Sequence, residues 1–231
     1  MGYDRIKKLG EFMDKKERID ALKKKIEECS QGSIHMQTEF IKNTELEATF
    51  LQVNHFPWGK DYCPMTTAKI WFESEIGFHV IMQCQESHPL AVYQNPDEPV
   101  YEDSCMECFL QFYPEESEIY MNFEVNSNGI MLCQKGTGRR DRIFIRNMGF
   151  DQPKVTLQKT ESSWKISYVI PLELIGQVYG RCDFVSGQIL RGNFYKCGDK
   201  TEIPHYGCWN LIGCDKPDYH RPEYFGSLML I

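Results

Sequence analysis

Hydrophobic positions along the chain follow two different periods. Between residues 3 and 29, apolar residues recur at steps of three and four among Lys, Glu and Asp, which predicts an amphipathic helix that ends at 31–33. From about residue 34, apolar and polar residues alternate in short runs, as they do in β-strands. The pattern therefore divides the chain into an N-terminal helix and linker, residues 1–33, and a β-rich domain, residues 34–231.

The alternating runs predict a series of short strands. They cover residues 68–72, 78–84, 99–113, 119–126, 130–134, 143–145, 154–158, 164–170, 189–197 and 228–231. Asn128-Gly129 predicts a tight hairpin, because both residues readily take positive φ. Residues 172–175 are predicted to form one helical turn. Many short strands without long helices between them indicate an all-β fold, an antiparallel β-sandwich.

The predicted strand 99–113 has two unlike faces. One face is apolar and can enter a core: Met106, Cys108, Leu110 and Phe112. The other face mixes carboxylate, amide, thiol and aromatic groups: Tyr101, Asp103, Cys105, Glu107, Phe109 and Gln111. The second face is typical of a surface that recognises a polar ligand.

Composition narrows the function classes. Aromatic residues make up 13% of the chain, which favours strands, and the net charge of -7 argues against nucleic acid and against an anionic membrane surface. No apolar run reaches the roughly 18 residues of a membrane span, and the N-terminus lacks a signal-peptide apolar region. We therefore expect a cytoplasmic chain whose ten Cys are reduced, or a secreted one if an export signal has been removed.

The amphipathic N-terminal helix has two interpretations. It can be an oligomerisation or partner helix, which would make the chain a homo-oligomer. It can also lie against its own domain or extend from it as an appendage. The sequence does not decide between them.

Several segments, taken in order, resemble a known family. They are residues 100–110, 120–129, 164–171, 191–195 with Trp209, and 220–230. Over residues 45–231 the chain is similar to the family 9 carbohydrate-binding module and its free-standing bacterial relatives, known from xylan degradation. The resemblance implies an immunoglobulin-like antiparallel β-sandwich in which two aromatic rings hold a terminal sugar.

The resemblance also implies which residues contact the sugar. The two clamp rings fall on Tyr101, six positions before the strand glutamate, and on Tyr219. The polar ligands and the late-strand positions fall on the following residues: Glu107, Glu124, Asn126, Asn193 and Tyr195. Calcium is implied as a bound ion, but its ligands cannot be placed, and no catalytic residue is implied.

Two departures from the family pattern leave the ligand's identity open. Both clamp positions are typically Trp and are Tyr here, and the position of Glu124 is often Arg. The residue types nevertheless suit a sugar, because flat rings cover the C–H faces of a pyranose and carboxylates or amides pair with its hydroxyls. The sequence thus predicts non-catalytic binding of a mono- or oligosaccharide of plant type.

Two other functions compete with sugar binding. Glu107 and Glu124 would be a glycosidase pair if they face each other across adjacent strands. Alternatively, the sandwich binds protein through its N-terminal helix and has lost its sugar affinity.

Cysteines near the C-terminus raise a separate question of metal binding. Cys197, His205, Cys208 and Cys214 have the ligand types of a zinc site, but no tight Cys-x-x-Cys spacing begins it. Cys105 and Cys108 lie three residues apart on a strand, so their thiols should face opposite sides. The alternative is that most of these Cys are small buried hydrophobic residues.

Overall fold

The β-rich domain is a sandwich of two packed sheets. The computed structural model describes residues 36–231 and, before them, only Asp20 and Lys24. The domain extends from Gln37 to Ile231. The predicted N-terminal helix and linker, residues 1–33, lie almost entirely outside the described residues.

Short strands account for most of the regular structure. They are β1 (Thr38–Ile41), β2 (Leu51–Val53), β3 (Thr66–Glu73), β4 (Gly77–Cys84), β5 (Cys105–Gln111), β6 (Tyr120–Asn126), β7 (Met131–Gly136), β8 (Ile143–Phe144), β9 (Thr156–Lys159), β10 (Trp164–Pro171), β11 (Ile189–Gly198), β12 (His205–Cys208) and β13 (Gly226–Leu230). One α-helix, α1 (Leu172–Tyr179), follows β10 directly, and 3-10 turns form at Val100–Glu102, Ile145–Met148 and Pro222–Tyr224. None of the described helices has the length and apolar character needed to cross a bilayer.

The two sheets differ in size and connectivity. The larger has the order β1-β13-β11-β5-β6-β7-β8, with β12 also paired to β11, and the smaller has the order β2-β3-β4-β10-β9. Among the strand pairs of the described domain, only β1 with β13 is parallel. A parallel pair requires a long crossover, and here the crossover is the whole intervening domain.

The core lies between the sheets and follows the predicted alternation. From the larger sheet it receives the apolar face of the central strand, Met106, Cys108 and Leu110, together with Met121, Phe123 and Val125 of β6. The smaller sheet contributes Ile70, Phe78, Val80, Met82, Ile166 and Ile170. The other face of the larger sheet packs against a second cluster that includes Phe109, Tyr195 and Phe225. The central strands are therefore buried on both faces.

The predicted strand 99–113 is shorter than expected. Strand β5 begins only at Cys105, and Val100–Glu102 forms a 3-10 turn in which the N–H of Glu102 donates to the carbonyl of Pro99. Both Asp103 oxygens accept from the backbone N–H of Val92, which ties the turn to the preceding loop. Tyr101 consequently lies on a turn and not on the strand face.

The Asn128-Gly129 hairpin also differs in detail from the prediction. The loop has three residues, 127–129, because the N–H of Asn126 donates to the carbonyl of Ile130, and within the loop only Gly129 has positive φ, at 77°. The Asn126 side-chain oxygen accepts from the N–H groups of Asn128 and Ile130 and so holds the turn. This is the three-residue hairpin with glycine in the left-handed region.

Three strands and most of one helix were not predicted. Strands β1, β2 and β12 are three or four residues long, and alternation is a weak signal over so few positions. Helix α1 extends to Tyr179 instead of ending after one turn, since Leu174, Ile175 and Val178 supply a buried face.

A buried ionic network joins the two sheets. The Nζ of Lys196, in β11, lies 3.4 Å from Glu86 Oε2, just after β4, and 2.6 Å from His205 Nε2. Glu86 also accepts from Trp164 Nε1 at 3.0 Å and from Ser104 Oγ at 2.8 Å. Burial, together with the charge of Lys196, lowers the pKa of His205 to about 4. The neutral imidazole can therefore accept a hydrogen bond from the ammonium group.

Substitution of Lys196 by Ala should destabilise the fold strongly. The change leaves the Glu86 carboxylate buried without its cation, which typically costs about 3–5 kcal/mol. Lys154→Ala, at an exposed position, is the matched control and should change the free energy of unfolding by less than about 0.5 kcal/mol. Urea unfolding of the two variants provides the measurement, and equal midpoints would show that the network does not stabilise the sandwich.

Candidate functional site

A cavity of about 460 Å³ opens on the outer face of the larger sheet. Its floor comes from β5, β6 and β7, which contribute Glu107, Phe109, Glu124, Leu132 and Gln134. Its walls come from loops near residues 97–101, 139–144 and 217–220. A volume of this size is typical of small-molecule sites.

The register of the strands sets the floor. Glu107 of β5 is paired directly with Glu124 of β6 on one side and with Tyr195 of β11 on the other. Leu132 of β7 is paired with Glu124, so these positions form one row across four strands. Residues paired in this way point to the same face of a sheet.

Four of the seven predicted site residues line the cavity: Tyr101, Glu107, Glu124 and Tyr219. The two tyrosines, which are 118 positions apart in the sequence, thus meet at one site, and acidic groups lie on the floor of the same cavity. Their arrangement on either side of a ligand, as a clamp, stays a prediction.

The other three predicted residues do not line the cavity. Tyr195 is fully buried beneath Tyr219, and its hydroxyl donates to the Tyr219 carbonyl at 3.2 Å. Asn193 donates to the carbonyl of Asn210 and accepts from its N–H, at 2.8 Å in each case. Asn126 holds the hairpin loop and donates to Asp103 Oδ2 at 2.9 Å. These side chains support the fold around the site.

The two tyrosines of the cavity differ in accessibility. Tyr219 is only 9% exposed, and its ring stacks on that of Tyr195 with centroids 4.0 Å apart and an interplanar angle of 8°. Its hydroxyl lies within hydrogen-bonding distance of the carbonyls of Lys196 and Gly207, at 3.1 and 3.0 Å, and shares its one proton between them. Tyr101 is 39% exposed on its turn. Tyr219 is therefore a fixed wall, whereas much of the Tyr101 ring is accessible.

Burial controls the protonation of the two carboxyl groups. Glu107 and Glu124 are 2% and 3% exposed. Burial, aided by the neighbouring Cys197 and Glu124, holds the pKa of Glu107 well above its usual range. Burial raises the pKa of Glu124 to about 7, although the hydrogen bond from Asn122 opposes the shift. Near neutral pH the pair therefore offers both donor and acceptor groups.

Arg142 is a site residue that the sequence did not indicate. Its Nη2 donates to the side-chain oxygen of Asn122, and its guanidinium lies 4.3 Å from the Tyr120 ring centroid. Nε and Nη1 of Arg142 and Oε2 of Glu124 are buried without a hydrogen-bond partner among the described residues. Such groups are costly to leave unpaired, and the two residues that carry them both line the cavity.

Other residues of the cavity wall also escaped sequence reasoning. Arg139, Asp199, Asp218 and His220 lie on loops or at strand ends, where no periodic pattern shows the direction of a side chain. Arg139 pairs with Asp218 at 3.1 Å, and His220 Nδ1 lies 2.9 Å from the Tyr120 hydroxyl. The one sequence signal was the cluster of three Arg between residues 139 and 142.

The predicted zinc ligands do not form a site. Within residues 36–231, the convergent donor groups do not include the set Cys197, His205, Cys208 and Cys214. His205 turns to Lys196, and the Cys208 thiol lies 3.5 Å from the carbonyl of His55. Cys105 and Cys108 belong to different apolar clusters on opposite faces of β5, as predicted.

The calcium ion implied by the resemblance stays a prediction. Calcium prefers six to eight oxygen ligands, which include backbone and amide carbonyls as well as carboxylates. The one convergent group of three or more His, Cys, Asp or Glu side chains found between residues 36 and 231 contains two thiols, so it is not a calcium site.

Comparison with known proteins assigns the sandwich to a class, the carbohydrate-binding modules. The family model described as carbohydrate-binding family 9 matches residues 36–230. The chain belongs to this family. A search of curated proteins found no match.

Solved structures share the fold. A proposed carbohydrate-binding protein from Bacteroides uniformis is 25% identical, with a TM-score of 0.70 over 85% of this chain and 100% of that one. A family 9 module from Caldicellulosiruptor kristjanssonii in complex with glucose is 11% identical, with a TM-score of 0.58 over 84% and 96% of the two chains. A family 9 module from the same organism in complex with cellotriose is 9% identical, with a TM-score of 0.54 over 84% of this chain and 93% of that one.

Stability should fall as the pH rises through the titration range of Glu124. Its folded-state pKa of about 7 lies above the ordinary value of 4.5, so the folded protein binds this proton more tightly than the unfolded chain. The stabilising contribution is complete below about pH 4.5 and is lost as the pH rises through about 7. Each pKa unit corresponds to about 1.4 kcal/mol.

Glu124→Gln should flatten this dependence and be more stable than the wild type at pH 8. Glu118→Gln, at an exposed position, is the control and should follow the wild-type curve. The free energy of unfolding from urea titrations between pH 5 and 8 gives the comparison. If stability depends on pH in the same way in Glu124→Gln and in the wild type, Glu124 is not the group that causes the dependence.

Proposed function

We propose that the domain binds carbohydrate without catalysis and holds a terminal sugar of a plant-type oligo- or polysaccharide in the outer-face cavity. The observation that carries the proposal is the pairing of buried, unpartnered polar atoms on Glu124 and Arg142 with aromatic walls at Tyr101 and Tyr219. Sugars require this combination, since each unit has apolar faces and an equator of hydroxyls.

The polar groups of the floor suit hydroxyls better than a charged ligand. After a small rotation of the Glu124 and Arg142 side chains, a hydroxyl can donate to the carboxylate and accept from the guanidinium, whereas Glu107, with its raised pKa, can itself donate. Acidic groups outnumber the two Arg of the lining, which disfavours anionic ligands. The strand position that is often Arg in the family is Glu124 here. Arg142 nevertheless supplies a guanidinium to the same cavity.

The sugars bound in solved relatives indicate which class of ligand to test first. Members of the family have been solved with glucose and with cellotriose, as their names state. Gluco-oligosaccharides are therefore the first ligands to test, followed by xylo-oligosaccharides. The clamp would be formed by Tyr101, whose ring is partly exposed, and by the wall at Tyr219.

Calorimetry with glucose and cellotriose should show saturable binding that depends on Tyr101. Tyr101→Ala removes an accessible stacking ring without touching the core, and affinity should fall by about 1–2 kcal/mol, roughly 5- to 30-fold. Phe50→Ala is the matched control, because Phe50 is an exposed ring that does not line the cavity. Its affinity should equal that of the wild type.

The outcome separates the proposal from a domain that only binds protein. Equal loss in both variants, or none in either, would remove Tyr101 from the site. Absence of binding to gluco- and xylo-oligosaccharides by the folded wild type would leave the protein-binding interpretation. Tyr219→Ala is less informative, because the buried Tyr219 hydroxyl holds two backbone carbonyls.

Glycoside hydrolysis is a second candidate, favoured by one observation. Glu107 and Glu124 are directly paired across β5 and β6, and burial holds the pKa of Glu107 well above its usual range, as a general acid requires. Binding alone predicts no turnover of chromogenic glucosides or xylosides by the wild type. Turnover that Glu107→Gln loses while still binding sugar would replace the non-catalytic proposal with this one.

A further inference from the structure

Two thiols and a carboxyl group converge beneath the floor of the cavity. The ligand atoms of Cys105, Glu107 and Cys197 all lie within 4.8 Å of one another, and all three residues are buried. In the part of the chain that the structure describes, this is the one convergent group of three or more His, Cys, Asp or Glu side chains. It differs from the set of Cys and His residues considered in the sequence analysis and shares only Cys197 with that set.

Strand geometry holds this group in place. Cys105 and Glu107 are two positions apart on the outer face of β5, and Cys197 is the register partner of Cys105 on β11. Both strands are central in the larger sheet, so the donors need little ordering before a ligand binds. The sequence separates Cys105 and Cys197 by 92 positions, which conceals the group from any motif search.

The hydrogen bond within the group joins a thiol to a carboxyl group and includes no basic side chain. Cys197 Sγ donates to Glu107 Oε1 at 2.8 Å. The neighbouring Lys196 points to the opposite face of β11, toward Glu86 and His205. A bound divalent cation would replace the thiol protons and offset the thiolate charge.

The donor set selects the kind of cation. Two thiolates with one carboxylate suit a borderline-soft ion such as Zn²⁺ and not Ca²⁺ or Mg²⁺, which prefer oxygen alone. With Zn–S bonds of about 2.3 Å, two sulfurs on a tetrahedral ion are about 3.8 Å apart. The observed convergence within 4.8 Å allows this with small side-chain rotations.

We infer that Cys105, Cys197 and Glu107 form a binding site for Zn²⁺ or a similar thiophilic divalent cation at the floor of the cavity. Three protein ligands leave a fourth position, and because Glu107 and Cys197 line the cavity, that position is accessible to water or to a hydroxyl-bearing ligand. Metal binding at this site needs only these donors and does not depend on sugar binding.

Titration of the reduced, full-length chain with Co²⁺ tests the site. Thiolate coordination should produce a sulfur-to-cobalt charge-transfer band in the near ultraviolet that saturates at one ion per chain and disappears when Zn²⁺ is added. Cys197→Ser and Cys105→Ser should each weaken or abolish the band. Cys182→Ser and Cys63→Ser, which change exposed thiols, are the controls and should leave it unchanged.

Glu107→Gln provides a second measurement if the buried serine variants fail to fold. It keeps both thiols and the side-chain shape, and it should weaken Co²⁺ binding by about tenfold or more. The inference is overturned if the folded wild type shows no thiolate band, or if the band persists unchanged in Cys197→Ser. It is also overturned if Cys105 and Cys197 form a disulfide under the reducing conditions of the titration. Since the readout uses no sugar, its failure is distinct from failure of carbohydrate binding.

Discussion

The structure around the cavity depends on the burial of two carboxyl groups on directly paired strand positions. Glu107 and Glu124 face the same side of the larger sheet, and like charges so close together in a dry environment cannot both ionise cheaply. Their raised pKa values and the cradle of Asn122 and Arg142 follow from that constraint.

The two faces of these strands have different structural roles. The inner faces of β5, β6 and β11 are mainly apolar and pack against the smaller sheet, and Lys196 is the exception that pairs with Glu86. That ion pair fixes β11, whose outer face carries Tyr195 and Cys197 against the cavity. The network that joins the sheets and the row of residues beneath the cavity thus share one strand, β11.

The site combines positions fixed by the sheet with positions supplied by loops. Glu107, Glu124 and Cys197 are placed by register and should change little when a ligand binds. Tyr101 and Arg139 belong to a turn and a loop, which can vary between relatives without disturbing the sandwich.

The sequence by itself determined the two-sheet architecture, the core faces and the carboxylate of the floor, because strand alternation is a local property that each segment carries. It also brought Tyr101 and Tyr219 to one site through resemblance. Only the tertiary structure showed that Asn126, Asn193 and Tyr195 serve the fold and that Arg142 enters the cavity. Those outcomes depend on register and on loop paths between distant segments, and neither is encoded in any single stretch of the chain.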